Sequence, residues 1–104
     1  QGLSFVFQNF VLNALQKEIK DSAATINFWR TLGGAEVDFV ISRGGEVVPV
    51  EVKYIDLRSP ALGKSLISFI EKYQPEKARV VNLSLETEIR YKTTAVKFIP
   101  YWKV

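Results

Sequence analysis

Two runs rich in β-branched and apolar residues, 35–42 and 46–54, flank the sequence Arg43-Gly44-Gly45-Glu46. A Gly-Gly pair between two such runs is a strong hairpin signal, because loops that follow the strand twist need positive φ. The hydrophobic pattern then sets the register. Phe39 opposite Val50, Val37 opposite Val52 and Ile41 opposite Val48 bring apolar side chains to one face. A slip of one residue would scatter them over both faces. A loop of two or of four residues gives the same pairs. The other face receives Val40 with Pro49, Asp38 with Glu51, and Glu36 with Lys53. Gly44-Gly45 as a phosphate-binding loop adds nothing that the hairpin turn leaves unexplained.

The rest of the chain supplies helices to cover such a sheet. Residues 3–19 read as a helix, with Leu3, Phe7, Phe10, Val11, Ala14 and Leu15 on one apolar stripe. Residues 26–32 read as a short strand turned by Gly33-Gly34. Ser59 as N-cap and Pro60 at the first helical position open a second helix. Leu62, Leu66, Phe69, Ile70 and Tyr73 line its buried face, and Pro75 stops it. Residues 78–83 resemble a buried strand. Residues 86–92 are polar and fit no element clearly. Residues 93–99 form a last strand, closed by Pro100-Tyr101-Trp102. The expectation is one α/β domain over residues 1–104, with helices packed on a mixed sheet.

Composition narrows the chemistry. Of 104 residues, 47% are hydrophobic, enough for a packed core. The chain contains no Cys and no His, which removes disulfides, thiolate nucleophiles, Ser-His-Asp triads and His-based zinc sites. What remains is carboxylate, lysine, hydroxyl and hard-cation chemistry. Fourteen basic against eleven acidic residues give a net charge of +3, which permits a polyanionic partner without requiring one. No apolar run is long enough for a transmembrane helix and no secretion leader is visible. The absence of Met and the start at Gln1-Gly2 suggest a processed product or a piece of something longer, and the expected location is cytoplasmic.

Carboxylates placed opposite one another, as Asp38 and Glu51 are by this register, repel by up to about 1 kcal/mol when exposed. A shared divalent cation would relieve them. Mg²⁺ is held by one or two carboxylates together with waters and phosphate oxygens. Lys53 lies two residues beyond Glu51 on the same face, placed to orient a water or to stabilise charge on a phosphorane-like transition state. The set suits metal-assisted phosphodiester hydrolysis. A solvated charged face accounts for the same residues equally well. On that reading Asp38→Asn or Glu51→Gln should leave folding and binding unchanged, whereas a cation site predicts that either change stabilises the cation-free chain by removing the repulsion. Phe28-Trp29 reads as core packing in preference to base stacking, and Arg30, Arg43, Arg58, Lys64 and Lys72 as solvated surface.

The stretch Glu36-Val37-Asp38-Phe39 followed by Val50-Glu51-Val52-Lys53 resembles the Asp…Glu-x-Lys core of the PD-(D/E)XK nuclease superfamily. Closer still, it resembles the DUF4143 domain found at the C-terminus of prokaryotic AAA-type ATPases. Phe7-Gln8-Asn9-Phe10, Phe28-Trp29-Arg30-Thr31, Leu66–Tyr73, Val80-Val81 and Phe98-Ile99-Pro100 extend the likeness over nearly the whole chain. The resemblance implies a restriction-endonuclease-like αβββαβ core. It implies Mg²⁺ or Mn²⁺ held by Asp38, Glu51 and the Val52 carbonyl, with Lys53 as the catalytic lysine and Gln8 where many relatives carry Glu. The expected partners are DNA and the ATPase module of a parent protein, with no membrane. Two exposed sheet edges leave room for a homodimer. The alternative is a non-catalytic module that keeps the nuclease fold to sense nucleic acid or dock on the ATPase.

Overall fold

The computed structural model describes residues 2–104. The elements are α1 (Gly2–Ile19), β1 (Thr25–Arg30), β2 (Glu36–Arg43), β3 (Glu46–Val52), α2 (Lys64–Tyr73), β4 (Lys77–Asn82), β5 (Thr87–Tyr91) and β6 (Thr94–Pro100). A 3₁₀ turn, Tyr101–Lys103, closes the chain. The six strands form one sheet in the order β1-β2-β3-β4-β6-β5. β3 and β6 run parallel to β4, and the other pairs are antiparallel. The expected α/β class with a mixed sheet between helices is therefore present.

Adjacent residues in β4 show where the helices sit. Side chains alternate across a strand, and Val80 and Val81 enter different cores. Val81 packs with Ile41 and Val50 under Phe7, Val11 and Leu15 of α1. Val80 packs with Ala78, Val96 and Phe98 under Leu66 and Ile70 of α2. The helices thus cover opposite faces. On α1 the buried positions recur at every fourth residue. Leu3 and Phe10, placed on this stripe by the sequence pattern, are instead largely exposed, as are Phe5 and Val6. Phe10 meets Tyr101 edge-on, 5.8 Å away between centroids.

The hairpin register is the expected one, from Arg43↔Glu46 to Phe39↔Val50. Pro49 faces Val40, and β3 begins to pair with β4 only at Val50, so its missing N–H leaves no gap in either ladder. The expected faces need one correction. Against β1 the pairing steps from Asn27↔Val40 to Trp29↔Val37, so three residues of β2 span two of β1. This bulge carries Val37 to the same side as Val40, where Phe69 of α2 covers both. Phe39 and Ile41 stay on the α1 side. Val40, expected on the charged face, is buried.

Two further expectations change. Ser59-Pro60 does not open α2. The N-cap is Gly63, which makes no side-chain capping bond. The chain leaving β3 stays tied to β4, with Lys53 N donating to Val81 O (2.8 Å) and Leu83 N donating to Ile55 O (3.0 Å). These bonds hold 53–55 extended, so no helix starts there. At the other end Gln74 adopts φ 49° and closes α2 through its N–H to Ile70 O, ahead of Pro75 as anticipated. The unassigned segment forms β5 at the sheet edge. Its one-sided alternation is Thr87, Ile89 and Tyr91 inward against Glu88 and Arg90 outward. Asn82 is fully buried at the end of β4, where its side chain accepts from Ser84 N and Leu85 N and donates to Leu85 O.

Candidate functional site

The ladder between β2 and β3 ends at Phe39↔Val50. Ladder parity would next give the Val52 N–H to a carbonyl of β2. It goes instead to Oδ2 of Asp38, at 2.7 Å. Oδ1 of Asp38 accepts from Nε2 of Gln8 on α1, at 2.9 Å. Both oxygens of Asp38 are thus held where the two strands part, one by the neighbouring strand and one by the helix above it. The bulge makes this possible, because it turns Asp38 out of strict alternation at the strand end. Gln8 follows Phe7 on α1, and the burial of Phe7 seats it over β2.

Glu51 lies on the same strand end. Its Oε1 is buried and has no hydrogen-bond partner among the described residues. Its Oε2 lies 4.0 Å from Nζ of Lys53. A Cβ built on Gly63 would sit 3.0 Å from Oε2, so the start of α2 closes against this carboxylate. The helix start is itself fixed to the hairpin by Glu36 N donating to Ser65 Oγ, at 3.1 Å. The side chains of Glu51 and Lys53 are only 18% and 26% exposed, so solvent screens them weakly.

Burial pushes both carboxyls above their ordinary range. For Asp38 burial outweighs the Val52 hydrogen bond, with Glu36 raising it further and Gln8 and Lys53 opposing. For Glu51 burial leads, Lys53 opposes it and the Asp38 charge adds to it. Lys53 therefore acts on both carboxylates, and the charge of each acid is held in a partly dry setting.

The structure brings Gln8, Asp38 and Val52 into direct contact and places Glu51 beside Lys53. Asp38 and Glu51 do not form the cross-strand pair expected from the register. Asp38 is approached from the α1 side and Glu51 from the start of α2, and they are joined through Val52. The expected Glu36–Lys53 pair is also absent. Glu36 pairs with Arg30 (3.5 Å) across β1 and β2. Among the described residues no group of three or more acidic side chains gathers as a metal cage. A cation here would take two carboxylates and the remaining ligands from water or phosphate oxygens, which is how Mg²⁺ is commonly held. The orphaned Glu51 oxygen is the donor best fitted to such an ion, because an unpaired buried carboxylate oxygen is costly. Gly63 was not singled out from the sequence. The signal was a glycine at a helix start where Ser, Thr, Asp or Asn is usual.

The fold and this strand end define a small α/β domain with two raised carboxylates, a lysine and an amide at one site. The chain belongs to the DUF4143 family, a domain of unknown function, which it matches over residues 3–104. No curated protein matches it. Among solved structures it is similar to a chain in the refined half-complex of a tetradecameric assembly of Thermococcus gammatolerans McrB AAA+ hexamers with bound McrC. The TM-score is 0.72 at 13% identity, covering 93% of this chain and 27% of that one. The likeness is one of fold, and this chain spans about a quarter of the length of the chain it resembles. Among the described residues no helix is long and apolar enough to cross a membrane.

Proposed function

We propose that this domain is a divalent-cation-dependent phosphodiesterase of the PD-(D/E)XK type, acting on DNA as one module of an AAA-type ATPase. The observation that carries the reading is the buried Oε1 of Glu51, which has no partner, in a carboxylate that Lys53 faces and Asp38 influences. Asp38 and Glu51, with the Val52 carbonyl, would hold Mg²⁺ or Mn²⁺. Such an ion would supply Lewis-acid polarisation of the phosphate and a more acidic water. Gln8 and the Val52 N–H hold Asp38 in place, so its geometry is preset before substrate arrives. Lys53 is placed to orient the attacking water and to offset charge as it builds on the phosphoryl oxygens. The element order α1 to β4 agrees with the αβββαβ core of the nuclease superfamily. The fold neighbour's place in an AAA+ assembly supports the ATPase association, and a cytoplasmic setting goes with it.

A second reading rests on Gln8. It stands where many superfamily members carry Glu, and its amide donates to Asp38. A domain that keeps the site's frame with one charge fewer could serve the ATPase as a docking or sensing module. Cleavage of DNA in Mn²⁺ distinguishes the two. The catalytic reading requires cleavage that Lys53→Ala abolishes while the fold is retained. No cleavage by wild type, and no shift of Tm with Mn²⁺, leaves the docking reading.

A further inference from the structure

Two hollows open on either side of the Gln8–Asp38 hydrogen bond. One, of about 340 Å³, is bordered by Phe5, Phe7 and Tyr54 together with Gln8 and Asp38. The other, of about 240 Å³, is bordered by Phe28, Arg30 and Glu36 together with the same Gln8 and Asp38. Neither is lined by Glu51 or Lys53. Each hollow therefore shares the Asp38 carboxylate and carries its own aromatic side chain.

Those aromatics are not core residues. Phe5 is 66% exposed, Phe28 is 70% exposed and Tyr54 is 39% exposed. Trp29 shows how an aromatic packs inward from the same strand. Its indole meets Phe69 edge-on at 5.3 Å and donates to the Tyr73 hydroxyl at 3.2 Å. Phe28, one residue earlier, points to the other side of β1. The guanidinium of Arg30 stands 5.4 Å from its ring centroid. Across the site, Phe7 backs Tyr54 at 5.2 Å, which holds that ring while leaving it partly exposed. Core packing, expected for both Phe28 and Trp29, accounts for Trp29 alone.

Exposed aromatic rings, one of them with a guanidinium over its ring, adjoining a site for phosphodiester chemistry, match the way unpaired bases are held. In a duplex the bases stack on each other and cannot reach such rings. We propose that the substrate is an unpaired nucleic-acid strand, with the base on one side of the reacting phosphate stacked on Phe5 and Tyr54 and the base on the other side stacked on Phe28. Glu36, the second acidic group of that hollow beside Asp38, is held by Arg30 at 3.5 Å, which limits its repulsion of the backbone. This inference deepens the phosphodiesterase reading and rests on it for the identity of the phosphate-bearing ligand.

The test is fluorescence anisotropy with a labelled oligothymidine strand and a labelled duplex, in EDTA so that nothing is cut. Wild type should bind the single strand more tightly than the duplex. Phe5→Ala and Phe28→Ala should each weaken single-strand binding by about fivefold or more, the range expected for loss of one stacked base. Both should leave duplex binding and Tm unchanged, and Phe28→Trp should restore affinity. Equal affinity for the two ligands, or alanine variants that bind like wild type, would overturn the proposal and mark these rings as a protein-docking surface. The Mn²⁺ dependence of Tm, measured on the same wild-type sample, separates the two readings. A Tm shift without aromatic-dependent binding removes only the substrate assignment. Aromatic-dependent binding without a Tm shift removes the phosphodiesterase.

Discussion

Asp38 and Glu51 respond differently to neutralisation, because only one of them is satisfied. Both oxygens of Asp38 accept from N–H donors. An Asn there would turn its amide toward one of those donors, so Asp38→Asn should lower Tm, contrary to the simple repulsion argument. Glu51 leaves a buried oxygen unpaired. In EDTA at pH 8, Glu51→Gln should therefore stabilise the fold, by about 1 kcal/mol or ~4–8 °C in Tm. The sign with pH follows from the raised carboxyl. The folded state binds the proton more tightly than the unfolded chain, so the penalty of the charged form is full above the folded pKa and fades as pH falls through it. The Tm advantage of Glu51→Gln should shrink as pH drops into the ordinary carboxylate range. Differential scanning calorimetry from pH 8 to pH 4 checks this; a constant advantage would contradict it. Gln8→Glu sets a second carboxylate against Asp38. It should lower Tm in EDTA and enlarge the Tm gain in Mn²⁺, by thermal denaturation with and without the ion.

At the scale of elements the site depends on how β2, β3 and the start of α2 are braced. Phe69 covers Val37 and Val40 across the bulge. Phe69→Ala should cost about 3–5 kcal/mol by chemical denaturation. Gly63→Ala tests the contact between α2 and Glu51. Its backbone (φ −74°, ψ 158°) suits any residue, so the new methyl acts mainly by crowding Oε2. It should cost ~1 kcal/mol or less in EDTA and weaken Mn²⁺ binding measurably by titration calorimetry. The hairpin register was legible because Phe39, Ile41, Val48 and Val50 leave one good alignment. The bulge was not, since it is set by how β2 meets β1, and Asp38-Phe39 carries no local mark of it. The start of α2 was misread because Ser59-Pro60 has the form of a cap, while the backbone bonds of 53–55 to β4 are long-range. β5 was hidden because Ile89 is its only aliphatic residue.

For the whole molecule, the residues that read as chemistry in the sequence all fall at one strand end, but reach it by two routes. Gln8 and Asp38 belong to the α1 side, whereas Glu51 is closed in by the start of α2, with Val52 between the two acids. The modest net charge of +3 adds a condition. If DNA is the ligand, affinity should fall as salt rises, with a shallow slope reflecting a few phosphate contacts. Binding by anisotropy between low and physiological salt measures it. The claim on which the rest depends is that Glu51 and Asp38 form a cation site. The most direct measurement is calorimetric titration of Mn²⁺ into wild type and into Glu51→Gln at neutral pH. Saturable binding to wild type that is lost in Glu51→Gln, with a Tm rise in wild type alone, is the predicted result. No binding to a folded wild type, or equal binding to both proteins, would contradict it.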